Sequence, residues 1–364
     1  MKRITSPTLL LDRERVMRNI EKMARKADLK GVTFRPHFKT HQSIEIGRWF
    51  RDYGVQKITV SSVKMAHYFA ADGWSDITIA FLLNPGEIPE LNSLAEDVSL
   101  GILIDSLDAL DQLARSLTQS IDIWIKIDTG YGRTGVPWDD TTGLIRLYSA
   151  LCDAKHVRVR GVLTHNGETY HAASVAEIRR LHAQSVDRIR KARAVLVDEG
   201  AEEIAISIGD TPSCAVADDF GGIDEMRPGN FVFYDIMQLC IGACRPEEIA
   251  VAVACPVVGK YPGRDQIVVY GGAVHLSKEY AAIKGSRKIY GYATRMQGDS
   301  FGGIGTESPV IALTQEHGII QADGIGMEDT AVGDLFLIAP VHSCLTANLH
   351  REYVTLDGEV IGKL

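Results

Sequence analysis

The feature that most restricts this chain is a rhythm. Between residues 32 and 235, apolar runs of strand length alternate with stretches of helical period. Eight runs stand out: "VTFRPHF" (32–38), "KITVSS" (57–62), "DITIAFLL" (76–83), "SLGILID" (99–105), "DIWIKIDT" (122–129), "VRVRGVLTH" (157–165), "EIAISIGD" (203–210) and "MRPGNFVFY" (226–234). Amphipathic helices separate most of them. "SIEIGRWFRDYG" has Ser43 as N-cap and Gly54 as stop, "SLDALDQLARSLTQ" starts from Ser106, and "SVAEIRRLHAQSVDRIRKARAVLVDEG" closes at Gly200. Only the gap between Asp210 and Met226 is too short for a full helix. Eight parallel strands with outer helices make a (β/α)8 TIM barrel, a fold of about 250 residues. An open doubly wound sheet is the alternative.

A chain of 364 residues exceeds one barrel. Past residue 245 the texture changes to short β-rich runs, "IAVAVACPVVG", "DQIVVYGGAVHLS", "PVIALTQ" and "DLFLIAP", divided by Gly, Pro and Asp turns. The expected organisation is a barrel over 10–245 and a β-rich C-terminal domain over 246–364, joined by residues 1–9. With 45% hydrophobic and 24% charged residues the chain reads as an ordinary soluble globular protein. The net charge is -8 and the basic residues are dispersed, so the electrostatic footprint for nucleic acid is missing. No stretch nears the roughly 20 apolar residues of a membrane span, and the apolar run in "MKRITSPTLLLD" is too short for a signal peptide, so a cytoplasmic location is expected. Six scattered cysteines, at 152, 214, 240, 244, 255 and 344, read as reduced thiols, five of them as packing residues.

Chemistry on such a barrel is built where the strands end. Here the ends are polar: His37, Lys39 and His41 after the first run, Ser61 and Ser62 after the second, Arg133 in "GYGRTG" after the fifth, and His165 after the sixth. "GDTPS" follows the seventh run and "RPGN" opens the eighth. If the extended conformation persists, His37, Lys39 and His41 share one face. A lysine turned into a barrel top loses hydration, and neighbouring imidazoles disfavour its ammonium form, which suits a Schiff-base lysine. Phosphate sites on barrels often lie after strands seven and eight, where Gly209, Thr211, Ser213, Gly229 and Asn230 offer small residues and hydroxyls. A lysine and a phosphate cradle together point to a phosphorylated aldehyde cofactor.

At these residues the chain resembles the fold-type III pyridoxal-phosphate enzymes, the alanine racemase superfamily, and within it the D-threonine aldolase and D-serine dehydratase group. "RPHFKTH" is similar to the cofactor-lysine motif, which implies that Lys39 carries pyridoxal 5'-phosphate. "GYGRTGV" resembles the segment whose arginine bonds the cofactor's phenolic oxygen, implying that role for Arg133. "LTHNGETY" implies that His165 packs on the pyridine ring with Tyr170 nearby. "GDTPS" and "RPGN" resemble the phosphate cradle, bringing in Gly209, Thr211, Gly229 and Asn230, and Arg227 falls where alanine racemases aim an arginine at the pyridine nitrogen. "PVHSCLTANLH" (340–350) resembles the group's metal motif, with His342 and Cys344 as ligands of Zn2+ or another divalent metal. On an extended segment these two side chains, two apart, project the same way, and imidazole with thiolate suits zinc.

The resemblance implies a lyase that removes water from a 3-hydroxy D-amino acid of the D-serine or 3-hydroxy-D-aspartate type, giving a 2-oxo acid and ammonia. It also implies a homodimer. The cysteine at 344 leans towards dehydratases, since D-threonine aldolases tend to carry aspartate there. An aldolase that breaks Cα–Cβ, an amino-acid racemase and a non-catalytic cofactor carrier remain as alternatives. Decoys are present too. "GYGRTG" matches a dinucleotide fingerprint, but its third glycine runs into "VPWDD" rather than a helix. Cys240 and Cys244 lack a second ligand pair, and His275 and His317 read either as surface residues or as contributors to the site.

Overall fold

The structure, a computed structural model, describes residues 4–283, 287–296, 301–322 and 324–364. Its contacts divide the chain into two compact units, Lys22–Gly229 and Met1–Glu21 with Asn230–Leu364.

In the first unit eight strands run parallel: β1 (Thr33–Phe34), β2 (Ile58–Val60), β3 (Asp76–Leu82), β4 (Ser99–Ile104), β5 (Ile121–Asp128), β6 (Val157–Leu163), β7 (Ala205–Ile208) and β8 (Glu225–Met226). The order of pairing is β1-β8-β7-β6-β5-β4-β3-β2. A parallel bridge between His37 and Thr59, beside the Phe38 N–H to Thr59 O bond of 2.8 Å, joins β1 back to β2 and closes the ring. The helices are α1 (Ile44–Arg51), α2 (Val63–Ala70), α3 (Ile88–Asp97), α4 (Leu107–Ser116), α5 (Thr141–Asp153), α6 (Val175–Asp198) and a six-residue α7 (Thr211–Val216) in the short last gap. Local chemistry sets their ends. The Ser106 and Ser174 hydroxyls accept from the N–H groups of Ala109 and Glu177, and Gly54 and Gly200 adopt φ of 76° and 93° where the chain leaves the helix. Ser43 precedes α1 without capping it through its side chain.

Two strand expectations shrink. "VTFRPHF" pairs regularly only at Thr33–Phe34 and His37, and "MRPGNFVFY" is no strand beyond Met226, giving way to a 3-10 turn at Asn230–Val232. Pro36 and Pro228 have no N–H to give to a ladder, so regular pairing is interrupted there, although their carbonyls still accept the N–H groups of Thr59 and His37, each at 2.9 Å. Along β5 the four isoleucines at 121, 123, 125 and 127 are at most 1% exposed and alternate with Asp122, Trp124, Lys126 and Asp128. That period of two separates an apolar face from a face bearing polar groups. Trp124 packs with Leu103 and Leu163, flanked by Ala80, Leu82 and Ala205, all contributed by strands β3 to β7. Truncating a leucine in such a layer costs about 2–5 kcal/mol.

In the second unit the N-terminal strand Thr8–Leu11 pairs antiparallel with β9 (Val251–Tyr261), Leu10 opposite Ala252, and parallel with Glu352–Thr355. β9 also pairs with Leu335–Pro340 and with β10 (Gln266–Tyr270), which continues to His317–Gln321. Leu10, Ala252, Ala254, Phe301 and Leu337 form its core. The helices α8 (Ile236–Cys240), α9 (Ala273–Leu276) and α10 (Ser343–Leu349) belong to this unit.

Candidate active site

The chain does not stay extended after His37. Residues 38 to 41 turn, Gln42 donates its N–H to Phe38 O at 2.9 Å, and Gln42 itself sits at φ 51°. His37, Lys39 and His41 therefore do not share one face. Lys39 is exposed, while His41 is fully buried. The reason is aromatic packing: Phe38 lies 4.5 Å from His41, 4.9 Å from both Phe50 and Phe69, and 5.1 Å from Trp74, centroid to centroid. His41 completes that cluster and accepts the Ser43 N–H at Nδ1, 3.1 Å, which makes it a core histidine. The turn also needs bare backbone beside it, because a Cβ on Gly229 would lie 2.9 Å from His37 O and 3.1 Å from Thr40 Oγ1.

His165 follows β6, and its Nδ1 pairs with Gly209 O at 2.5 Å. A carbonyl only accepts, so Nδ1 carries the proton and Nε2 keeps its lone pair. Burial, the Lys39 and Arg133 charges and, more weakly, Lys126 bring its pKa down to about 3, against the opposing Gly209 bond. Burial, then Lys39, Arg227 and His165, push His37 well below its ordinary value as well. Both imidazoles are neutral at physiological pH. Tyr170 lies 6.1 Å from the His165 ring, and its hydroxyl accepts the Thr211 N–H, 3.2 Å away, at the start of α7. Asp210 caps that helix through Ser213 N–H at 2.7 Å and receives the Thr169 hydroxyl.

Arg133 sits on the loop after β5. Gly130, Gly132 and Gly135 have φ of 124°, 73° and 115°, a backbone shape that side chains resist. The Asp128 carboxylate accepts from the N–H groups of Gly130 and Gly132, and Asp105 from that of Gly135. The Arg133 guanidinium lies 5.4 Å from the Tyr131 ring centroid.

Lys126 and Arg227 complete the electrostatics. Lys126 is 5% exposed, donates to Ile127 O at 2.9 Å, and has its pKa lowered to about 7 by burial, then by Arg227 and Arg133. Arg227 gives its Nε to Ser207 Oγ at 2.6 Å and Nη2 to Thr164 O at 2.8 Å, so much of its fork is tied to the strands around it. Four cations thus act on one another or on the same imidazoles, opposed by Asp128 and Asp105 at Lys126 and by Glu225, 3.9 Å away, at Arg227. A guest bearing a phosphate and a phenolate is the natural complement to that excess. An exposed lysine amine, a neutral imidazole and a loop arginine match the remaining parts of pyridoxal phosphate.

In the second unit His342 precedes α10 and Cys344 lies in its first turn. The segment is not extended, yet the two side chains meet, because the start of the helix folds them together. Burial would lower the His342 pKa, but its hydrogen bond to Cys344 and the Cys344 charge, with Asp235 and Glu279 behind them, raise it to about 9. A proton held between imidazole and thiol is what a divalent metal would replace. Asp235 pins this motif, accepting the Ser343 N–H at 3.0 Å and Asn230 Nδ2 at 2.6 Å. Asn230 also reaches Ser343 Oγ at 3.0 Å and Cys344 Sγ at 3.5 Å, so its side chain serves the His342–Cys344 segment. Among the described residues no group of three or more His, Cys, Asp or Glu is placed to hold a metal. His275 packs on Tyr270 at 5.5 Å, and His317 is exposed.

Residues 11–236 match the family model "Alanine racemase, N-terminal domain", and this chain belongs to that family of pyridoxal-phosphate enzymes. Residues 250–356 match the model "Putative serine dehydratase domain". The chain is 31% identical to the D-threo-3-hydroxyaspartate dehydratase of Delftia sp. (strain HT23), over 98% of this chain and 96% of that protein. It is 26% identical to a D-serine dehydratase of Dictyostelium discoideum, over 98% and 94% of the two chains. The solved structure of the Delftia dehydratase superposes with a TM-score of 0.91 at 29% identity, covering 99% of this chain and 98% of the other. A D-threo-3-hydroxyaspartate dehydratase with a cysteine-to-alanine mutation, in the metal-free form, superposes at 0.92 with 29% identity and the same coverage. No helix among the described residues is long and apolar enough to cross a membrane.

Proposed function

We propose that this chain is a pyridoxal-phosphate and zinc-dependent lyase that eliminates water from a 3-hydroxy D-amino acid, of the D-serine or 3-hydroxy-D-aspartate type, as a homodimer in the cytoplasm. The observation that carries the reading is the meeting of an exposed Lys39 amine, a neutral His165 and the Arg133 loop at the C-terminal ends of the barrel strands. Full-length similarity to dehydratases that act on such substrates supports it.

When bound, the cofactor draws electrons from the substrate's Cα and so makes its proton removable. Lys39 would hold the cofactor, and its Nζ would take the proton from the substrate's Cα. Burial with the repulsion of Arg227 and Arg133 brings Lys126 to about 7, and burial with Lys39 and Arg133 keeps His165 uncharged. His165, held by Gly209 O, presents an uncharged flat ring to the cofactor, and Arg133 holds the phenolic oxygen. Gly209, Thr211 and Gly229 offer the backbone for the phosphate. His342 and Cys344 would hold the metal, which would supply polarisation of the β-hydroxyl and ease its departure.

The test is a product assay on D-serine, D-threonine and 3-hydroxy-D-aspartate, with and without chelator, measuring 2-oxo acid and glycine together. Chelator-sensitive 2-oxo acid is expected. Glycine with an aldehyde would instead make the protein an aldolase, and inverted substrate with neither product would make it a racemase.

A further inference from the structure

The interior of a (β/α)8 barrel is normally filled by layers of branched side chains. In this one the mouth at the N-terminal ends of the strands is hollow, with a cavity of about 390 Å3. That volume falls at the lower end of ligand pockets, about 300–1,000 Å3. The hollow exists because β4 places Gly101 beside Thr78 of β3. A Cβ on Gly101 would sit 2.9 Å from Thr78 Oγ1 and 3.3 Å from Trp124 Nε1.

Thr78 and Trp124 line this cavity, each only 2% exposed, and neither the hydroxyl nor the indole N–H has a hydrogen-bond partner among the described residues. Neither atom is among the fully buried polar atoms left without a partner, so both open onto the cavity. The charges around them are almost all answered. Asp76 is bound by Arg35 at 2.6 Å and Lys57 at 3.3 Å, Asp122 by Arg158, and Arg35 additionally by Glu225 at 2.5 Å. Of the charged residues lining the cavity, Arg160 and Glu203 have no ion-pair partner among the described residues. One exposed cation and one exposed carboxylate line the same cavity as these two donors.

We propose that this cavity binds a small α-amino acid as its zwitterion. The carboxylate meets Arg160, the Trp124 indole N–H and the Thr78 hydroxyl, and the ammonium meets Glu203. A simple carboxylate would leave Glu203 unanswered, and a simple amine would leave Arg160 so. The site stands apart from the reaction proposed above, since none of its residues serves that chemistry.

The test labels the purified protein with 5-fluorotryptophan and follows the Trp124 resonance, assigned by Trp124→Phe, during titration with glycine, acetate or methylamine. A saturable shift at millimolar glycine is expected, absent with acetate and methylamine, and lost in Arg160→Ala, Glu203→Gln and Gly101→Ala while cofactor absorbance and turnover persist. No shift, an equal shift with acetate, or a shift surviving in those variants overturns the proposal. Because turnover is read separately, inactivity on hydroxy amino acids would leave this result standing.

Discussion

The two mouths of the barrel are built from the same eight strands and treat charge in opposite ways. At the N-terminal mouth Arg35, Lys57 and Arg158 are each matched to a carboxylate, and Asp76 and Glu225 raise the Arg35 pKa against the burial that would lower it. At the C-terminal mouth Arg227 shares Glu225 with Arg35, at 3.9 Å, while the repulsion of Arg227 and Arg133 adds to burial in bringing Lys126 to about 7, and that of Lys39 and Arg133 adds to burial in bringing His165 to about 3. A folded chain tolerates such an excess where a guest is to complete it. Paired charges support the fold, and chemistry is to be sought where neighbouring cations shift a lysine and a histidine from their ordinary values.

Four changes break or sharpen this contrast. Lys39→Ala has the largest expected effect, a loss of activity of about ten-thousandfold in the 2-oxo acid assay with an unchanged circular dichroism spectrum, since the side chain is exposed. Arg35→Met takes from the buried Glu225 its 2.5 Å partner and leaves it Arg227 at 3.9 Å and the Ser207 hydroxyl, and urea denaturation should register a loss of up to about 3–5 kcal/mol. Retained stability in that variant would mean the pairing is not structural.

Lys126→Met probes the C-terminal mouth. The folded pKa of Lys126 lies below its ordinary value, so between about 7 and the ordinary 10.5 the unfolded chain binds the extra proton and stability rises with pH. Below about 7 both states are protonated and that contribution is gone. The cofactor-free protein should show a positive slope of at most about 1.4 kcal/mol per pH unit. Unfolding curves of Lys126→Met should lack that component, and an identical slope would refute the assignment. Arg158→Ala removes an exposed pair with Asp122 and should cost no more than about 1 kcal/mol, less in high salt.

Much of this was legible in the residues. The strand-helix rhythm, the serine caps at 106 and 174 and the glycine stops are local signals, and they correspond to local structure. The turn at Phe38–His41 was not legible, because "FKTHQ" has neither Gly nor Pro and its shape is set by Phe50, Phe69 and Trp74 from farther along the chain. The same blindness made His41 look like a partner of Lys39. Spacing alone likewise favoured an extended HSC triplet, whereas the helix start brings His342 and Cys344 together. Lys126 could have been found: "IDIWIKID" alternates isoleucine with polar or large residues, so a lysine there shares a face with Trp124 and Asp128. Asp235 carries no such signal, since its role depends on Ser343, over a hundred residues away.

The ring of aromatics beneath Lys39 has a kinetic meaning. In the role proposed for it, Lys39 would release the cofactor and take it back in every cycle, and would have to find its place again each time. With Phe38 locked at 0% exposure among four rings, the backbone hinge of Lys39 is fixed and only its own side-chain torsions remain to be searched. Exposed side chains explore such torsions in picoseconds to nanoseconds. In that proposed role the return of the lysine would be fast, and the pedestal would work as a memory of position.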